Sequence, residues 1–210
     1  MSCKILILVL SSKKPPYDLL YEAQKRTWDS VSVPSVETRY YFCDGFETMV
    51  PKLLEALGEA LKSEWDFVFR TNSSSYVDKK ALIKFAEDLL PREKCYAGID
   101  GDGFASGSGF FLSRDCAKAL CGSIGPRKGL IEDEWVGAML KLGGVSVLDG
   151  VRADFWDRRV ISGFAEFDLG DEDIRTAYHV RCKSDTLDRD RDVIAMETVH
   201  QIKGFSATTS

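Results

Sequence analysis

The sequence predicts an α/β domain whose central sheet is mixed, mostly parallel and flanked by helices on both faces. The segment Lys4–Leu10 is continuously apolar after its lysine, which is typical of a buried parallel strand. In segment 51–63, leucines and alanines recur every three or four residues, as they do on one face of a helix. Because segments of these two kinds alternate along the chain, we expect strands and helices to form one layered α/β unit.

The other elements are predicted from the same two patterns. Helices are expected over 17–29, 79–90, 114–121 and 132–142. Strands are expected over 37–43, 65–71, 95–99, 109–113 and 145–149. Beyond residue 149 the pattern weakens, and we predict irregular structure there apart from a strand over 177–182.

Length and charge limit the possible functions. The 210 residues suffice for one domain, 1–210, without internal repeats or low-complexity linkers. The polar tail 204–210 resembles a linker, so the domain could be excised from a longer chain. The formal net charge of −5 argues against a nucleic-acid partner, because such partners are bound by basic surfaces.

Cysteine spacing and hydropathy indicate the compartment. The six cysteines include no C-x-x-C pair, so we expect reduced thiols in the core instead of a zinc site or a redox pair. The early apolar run Ile5–Leu10 is too short to span a bilayer. We therefore expect no membrane span and a cytoplasmic location, which is the host cytoplasm if the protein is viral.

Three polar clusters follow predicted strands: Ser11–Lys13, Asp44 and Arg70–Ser75. In open α/β sheets, ligands bind beyond the carboxyl ends of the strands, so we expect these clusters to converge on one ligand. Hydroxyls, backbone N–H groups and basic side chains there suit a nucleotide base, ribose or phosphate. Each cluster taken alone could equally be an ordinary turn.

Carboxylates and one histidine are the candidate metal ligands. Asp78 could bind Mg²⁺ or Mn²⁺, but it also stands where a helix N-cap is expected. Asp100 and Asp102 have D-x-D spacing, although the glycines around them favour a turn. His179 lies in an apolar, strand-like segment, where a histidine is usually structural.

Two further motifs could carry chemistry. Gly107, Ser108 and Gly109 would allow a ligand to approach the backbone closely, and a tight bend explains them equally well. Glu132, Asp133 and Glu134 open a helix, where acidic residues are favoured by the helix dipole. One of them could instead act as a general base toward a hydroxyl.

Taken in order, several stretches resemble the GT-A glycosyltransferases of the β-1,3-galactosyltransferase and Fringe type, and look close to chlorella virus glycosyltransferase domains. The stretches are ILILVLSSKK, KRTWDS, YYFCDG, WDFVFRTNSSSYV, GSGFFLSRD and IEDEWVGAMLKLGGV, from about residue 4 to residue 147. The combination in this order is fairly specific, whereas each stretch alone is weak. The resemblance implies a GT-A, Rossmann-like fold.

The resemblance also implies that a hexosyl unit is transferred, with inversion, from a UDP-sugar to a hydroxyl of a glycan or glycoprotein. A viral capsid glycoprotein is one such acceptor. Asp133 would be the base, Glu132 would lie beside acceptor or donor hydroxyls, and manganese or magnesium would assist. Metal ligands would be Asp78 and His179. The donor would contact Ser11, Ser12, Lys13, Asp44, Arg70, Asn72, Ser73, Ser74, Gly107, Ser108 and Gly109.

One departure from the family pattern concerns the metal. The family motif Thr-Asp-Asp-Asp-x-Phe-Val here reads Thr71-Asn72-Ser73-Ser74-Ser75-Tyr76-Val77, so its three carboxylates are missing. If no metal binds, Lys13 or Arg70 would offset the charge that develops on UDP.

Two other classes of protein remain open from the sequence. The missing carboxylates suit a non-catalytic module that only binds a sugar or nucleotide on a transferase scaffold. A nucleotidyltransferase is the third reading, since such enzymes have related α/β architecture.

Overall fold

The computed structural model describes residues 3–123, 130–163, 165–185 and 188–205, without the side chain of Phe46. The strands are β1 Ile5–Ser11, β2 Val36–Phe42, β3 Phe67–Asn72, β4 Ser75–Val77, β5 Tyr96–Asp100, β6 Ala105–Ser113, β7 Leu148–Asp149, β8 Val151–Asp154, β9 Arg159–Ser162, β10 Ala165–Asp168 and β11 His179–Arg181. The α-helices are α1 Tyr17–Arg26, α2 Met49–Ala60, α3 Lys79–Leu89, α4 Arg114–Cys121, α5 Glu132–Leu142, α6 Asp171–Thr176 and α7 Arg189–Ile202.

The central sheet has the strand order β2-β1-β3-β6-β5-β7. Its pairs β1–β2, β1–β3 and β5–β7 are parallel, whereas β6 runs antiparallel to both β3 and β5. Every residue of β1 is buried because both faces of the strand are covered. Ile5, Ile7 and Val9 belong to one core cluster and Leu6, Leu8 and Leu10 to the other. The predicted mixed, mostly parallel central sheet is confirmed.

A second sheet, with strand order β10-β9-β8-β11-β4, packs beside the first. The prediction of irregular structure beyond residue 149 is therefore wrong, although the strand predicted over 177–182 exists as the shorter β11. Strands β8 to β10 have four residues each and carry charged side chains, and all of β10 is exposed. Such short, polar strands lack the apolar runs and alternation that mark a strand in a sequence.

The last helix, α7, was also not predicted. Its first turn lies within the charged run 188–192, a polar stretch that shows no apolar helical face. Ala195, Met196 and Val199 nevertheless lie on one face and are fully buried in the core. The strand predicted over 145–149 shrinks to the two residues of β7.

The structure also bears on the thiols and on membranes. All six cysteines are free; five are buried, whereas Cys121 is exposed, so the expectation of a core thiol is wrong at that position. None of the helices described is both long enough and apolar enough to cross a membrane.

Candidate functional site

A cleft of about 400 Å³ opens beyond the carboxyl ends of β1, β2 and β3. The residues that line it are Leu10, Ser11, Ser12, Lys14, Pro15, Tyr17, Cys43, Asp44, Gly45, Met49, Asn72, Ser73, Ser74, Lys183 and Arg189. Members of all three predicted polar clusters are among them. The expected convergence of strand-end clusters is thus found, while their binding roles stay predictions.

Strand register brings these clusters together. Leu10 of β1 lies opposite Asn72 of β3, so the serines that follow each strand meet at the same edge. Beyond β2, the backbone N–H of Cys43 donates to the carbonyl of Ser11 over 2.8 Å, which places Asp44 beside the same cleft.

Lys14, and not the predicted Lys13, is among the residues that line the cleft. The ammonium of Lys13 lies 4.6 Å from the ring centroid of Phe42, and Lys13 does not line the cleft. Lys14 lines the cleft instead, with Nζ 3.5 Å from a carboxylate oxygen of Asp44. Lys14 is thus the lysine that lines the cleft, while the contact of Lys13 with the donor stays a prediction.

Lys183 and Arg189 form a basic wall of the cleft that sequence reasoning missed. Strand β11 runs antiparallel to β4, with Arg181 opposite Ser75, and the N–H of Cys182 donates to the carbonyl of Ser74 over 2.8 Å. Lys183, the next residue, consequently reaches the serines that follow β3. The rule of polar residues at strand ends, applied to the strand predicted over 177–182, would have pointed to Lys183.

Asp192 holds this wall in place from behind. Its fully buried carboxylate accepts hydrogen bonds from the backbone N–H of Ser184 at 2.7 Å and from Arg189 Nη1 at 2.8 Å. The hydroxyl of Ser74 donates to it from 3.3 Å. One buried carboxylate thus joins both sides of the cleft.

The charge of the cleft opposes that of the whole chain. Among its described lining residues, Lys14, Lys183 and Arg189 are basic and only Asp44 is acidic, whereas the chain as a whole has a net charge of −5. Burial, together with the cations of Arg181 and Arg189, lowers the pKa of the Lys183 ammonium below its usual value. A positive potential of this kind attracts an anionic ligand.

Asp133 adjoins the cleft through one residue, Gly107. Its Oδ2 accepts a hydrogen bond from the N–H of Gly107 at 2.8 Å. The carbonyl of Gly107 accepts in turn from Asn72 Nδ2 at 3.2 Å, and Asn72 lines the cleft. The half-buried carboxylate of Asp133 is therefore linked to the cleft by Gly107 and Asn72.

Arg70 and Glu132 form a buried ion pair, with side chains 1% exposed and Arg70 Nη2 lying 2.5 Å from Glu132 Oε2. Arg70 Nη1 also donates to the carbonyl of Gly107. Burial raises the pKa of Glu132 to about 7, and Asp133 adds to this rise while Arg70 opposes it. Both side chains are buried against each other, while the predicted contacts of Arg70 with the donor and of Glu132 with hydroxyls stay predictions. Arg70 holds the part of β6 that carries Gly107.

The glycine-serine motif is also mostly internal. Ser108 is buried, and its hydroxyl accepts from Arg152 Nη1 at 2.6 Å, while Asp154 takes two further hydrogen bonds from the same guanidinium. Gly109 is packed so closely that an added Cβ would lie 2.7 Å from the His179 ring. Within the motif only Gly107 is partly exposed, and the donor contacts of Ser108 and Gly109 stay predictions.

The predicted metal ligands are separated. Asp78 Oδ1 caps α3 by accepting from the N–H groups of Lys80 and Ala81, both at 3.0 Å, and its Oδ2 accepts from Lys203 Nζ at 3.1 Å. His179 lies in β11 opposite Val77 of β4, and its Nε2 lies 3.0 Å from Ser75 Oγ.

Other donors do not complete a metal site. Burial, aided by Arg152 and Arg181, lowers the pKa of His179 to about 3, so its ring is neutral and internal. Asp100 Oδ1 accepts from Gly103 N–H at 2.8 Å, which is turn chemistry. Throughout the described ranges, no group of three His, Cys, Asp or Glu residues is placed to hold a metal ion. The donor set among the described residues does not fit the manganese or magnesium that the resemblance implies.

The fold is similar to that of a solved glycosyltransferase. The crystal structure of a glycosyltransferase involved in the glycosylation of the major capsid of PBCV-1 matches with a TM-score of 0.58 and 13% identity, over 91% of this chain and 98% of that chain. Neither the comparison with protein-family models nor that with curated proteins finds a match. The similarity confirms the predicted glycosyltransferase-like α/β fold, while the resemblance to the Fringe type stays a prediction.

Proposed function

We propose that this protein is a glycosyltransferase that moves a hexosyl unit from a UDP-sugar to a hydroxyl of a glycan or glycoprotein, such as a viral capsid glycoprotein. The observation that carries the proposal is the basic cleft beyond β1–β3, in a chain whose fold is similar to that of a glycosyltransferase. Hydroxyl-rich walls suit a nucleoside, and basic side chains suit its diphosphate. The cleft volume of about 400 Å³ is in the range of small-molecule sites.

The reaction is an inverting displacement with Asp133 as its base. Asp133 takes the proton of the acceptor hydroxyl, and the acceptor oxygen forms a bond to the anomeric carbon. The bond from that carbon to the diphosphate oxygen breaks, and UDP leaves with the electron pair. The hydrogen bond from Gly107 N–H orients the Asp133 carboxylate and leaves lone pairs for the acceptor proton.

Arg70 and Glu132 support this step as positioning residues. Arg70 donates to the carbonyl of Gly107 on the same peptide segment whose N–H binds Asp133. Because β6 is held at both the N–H and the carbonyl of Gly107, the base stays at a set distance from the cleft, which is what a general base needs.

An assay of UDP release from UDP-glucose, UDP-galactose and UDP-N-acetylhexosamines tests the proposal. Asp133→Asn should lower the rate by roughly 10²–10⁴-fold, the usual contribution of a general base, and leave UDP affinity unchanged. The matched control is Asp88→Asn, which makes the same change at an exposed carboxylate on α3.

Each other result has a defined meaning. An Asp133→Asn variant as fast as the wild type would exclude Asp133 as the base. Binding of UDP-sugars without any turnover would identify a non-catalytic binding module. Release of pyrophosphate in place of UDP would identify a nucleotidyltransferase.

A further inference from the structure

The proposed transfer reaction places negative charge on a departing diphosphate, and this charge needs an electrostatic partner. A divalent cation is the usual partner, but in the described ranges no three His, Cys, Asp or Glu residues are grouped to hold one. Among the described lining residues of the cleft, Asp44 is the only carboxylate, and it lies 3.5 Å from Lys14. The oxygen of Asn72 is already used, since it accepts from Ser74 N–H at 3.1 Å and from Ser75 Oγ at 3.2 Å.

We infer that Lys183 and Arg189 bind the diphosphate of the donor and offset its charge in place of a divalent metal ion. The inference deepens the proposed function and rests on it. Both residues line the cleft next to Ser73 and Ser74, which follow β3 directly. Phosphates of nucleotides bind at this edge of α/β sheets, beyond the strand ends.

The two cations have different degrees of freedom. Arg189 is buried and anchored by Asp192, 2.8 Å from its Nη1. That bond engages one of the five N–H donors of the guanidinium, so the group is oriented before a ligand arrives. Lys183 is exposed and carries a flexible ammonium. A fixed guanidinium and an adaptable ammonium together suit a diphosphate, whose charge moves toward the leaving oxygen during transfer.

The crowding of positive charge supports the same assignment. Partial burial lowers the pKa of the Lys183 ammonium, and repulsion by the cations of Arg181 and Arg189 lowers it further. Repulsion of this kind is relieved when an anion binds between the charges. During transfer neither cation gives up a proton; both donate hydrogen bonds to diphosphate oxygens while the bond to the anomeric carbon breaks.

Calorimetric titration of EDTA-treated protein with UDP, uridine and inorganic pyrophosphate tests the inference. We expect UDP and pyrophosphate to bind without metal. Lys183→Ala should weaken both by roughly 10- to 100-fold, the worth of a hydrogen bond to a charged group, and leave uridine affinity unchanged. The control Lys62→Ala removes the same charge from an exposed position after α2, outside the cleft, and should change nothing.

Two results would overturn the inference. One is UDP binding that disappears in EDTA and returns with manganese. The other is a Lys183→Ala variant whose UDP affinity equals that of Lys62→Ala. If UDP and UDP-sugars fail to bind while pyrophosphate binds in EDTA and depends on Lys183, the proposed function is wrong and the anion site is supported.

Discussion

The replacement Asp78→Ala distinguishes a helix cap from a metal ligand. Two N–H groups at the start of α3 would lose their acceptor, which costs about 1 kcal/mol. Lys203, whose side chain is 1% exposed, would lose its carboxylate partner. Removing one member of a buried ion pair costs roughly 3–5 kcal/mol; we take about 2 here, because Asp78 is 19% exposed and Lys203 keeps two carbonyl acceptors. The expected loss of unfolding free energy is about 3 kcal/mol.

Urea denaturation at pH 7 measures this loss, and Asp188→Ala is the matched control. Asp188 caps α7 through one bond, to the N–H of Asp190 at 3.1 Å, and it is exposed, so its removal should cost about 1 kcal/mol. Without Asp78 the pKa of Lys203, already lowered by burial, falls further. The unfolded chain of the variant then binds more protons than the folded one, so the stability of the variant rises with pH. The difference in unfolding free energy between wild type and Asp78→Ala should therefore narrow as the pH rises toward 10.

A different outcome would refute this reasoning. If Asp78→Ala costs no more than Asp188→Ala, the Lys203 contact contributes nothing to stability. If it also abolishes a manganese-dependent binding of UDP while stability is kept, Asp78 is a metal ligand and the cap assignment is wrong.

Two further variants test the interior of the site. Burial lifts the pKa of Glu132 from 4.5 to about 7, so the folded state binds more protons in this interval and its stability falls as the pH rises through it. Between pH 5 and pH 8, the unfolding free energy of Glu132→Gln should therefore rise by roughly 3 kcal/mol relative to that of the wild type, as measured by urea titrations. Parallel pH profiles of the two proteins would refute the raised pKa of Glu132. Gly109→Ala puts a methyl group 2.7 Å from the His179 ring and should lower thermal stability by roughly 1–3 kcal/mol. In Gly58→Ala, within α2, the new Cβ meets nothing within 4 Å, so this variant should be more stable than the wild type by up to about 1 kcal/mol. Equal effects of the two substitutions on stability would contradict the packing argument.

The central sheet could be predicted because its signals are local. Each residue of β1 is apolar and buried on both faces, and α5 shows acidic residues in its first turn followed by an apolar face. The second sheet could not be predicted in the same way. Strands such as β10 are short, polar and exposed. They are stabilised by pairing with neighbouring strands whose own sequence patterns also fail to predict a strand.

The same contrast holds within the site. Asp44 and Ser11 follow strong strands, so their meeting at one edge could be inferred from topology. The contact of Lys183 with the cleft depends on the pairing of β11 with β4, and the burial of Arg70 depends on Glu132, 62 residues away. Neither pairing appears in the hydrophobic periodicity of the sequence, so the burial of Arg70 could not be predicted, whereas the position of Lys183 after a predicted strand is a signal that points to the cleft.

The hydrogen bond between Ser74 and Asp192 spans 118 residues of chain. Parallel strands β1–β3 can pair once the first part of the chain has left the ribosome, but the basic wall requires α7. Closing such a long loop is slow relative to local structure. The cleft is therefore completed only when the last helix docks, so a nascent chain that ends before residue 188 would lack Arg189 and Asp192, and with them part of the basic wall.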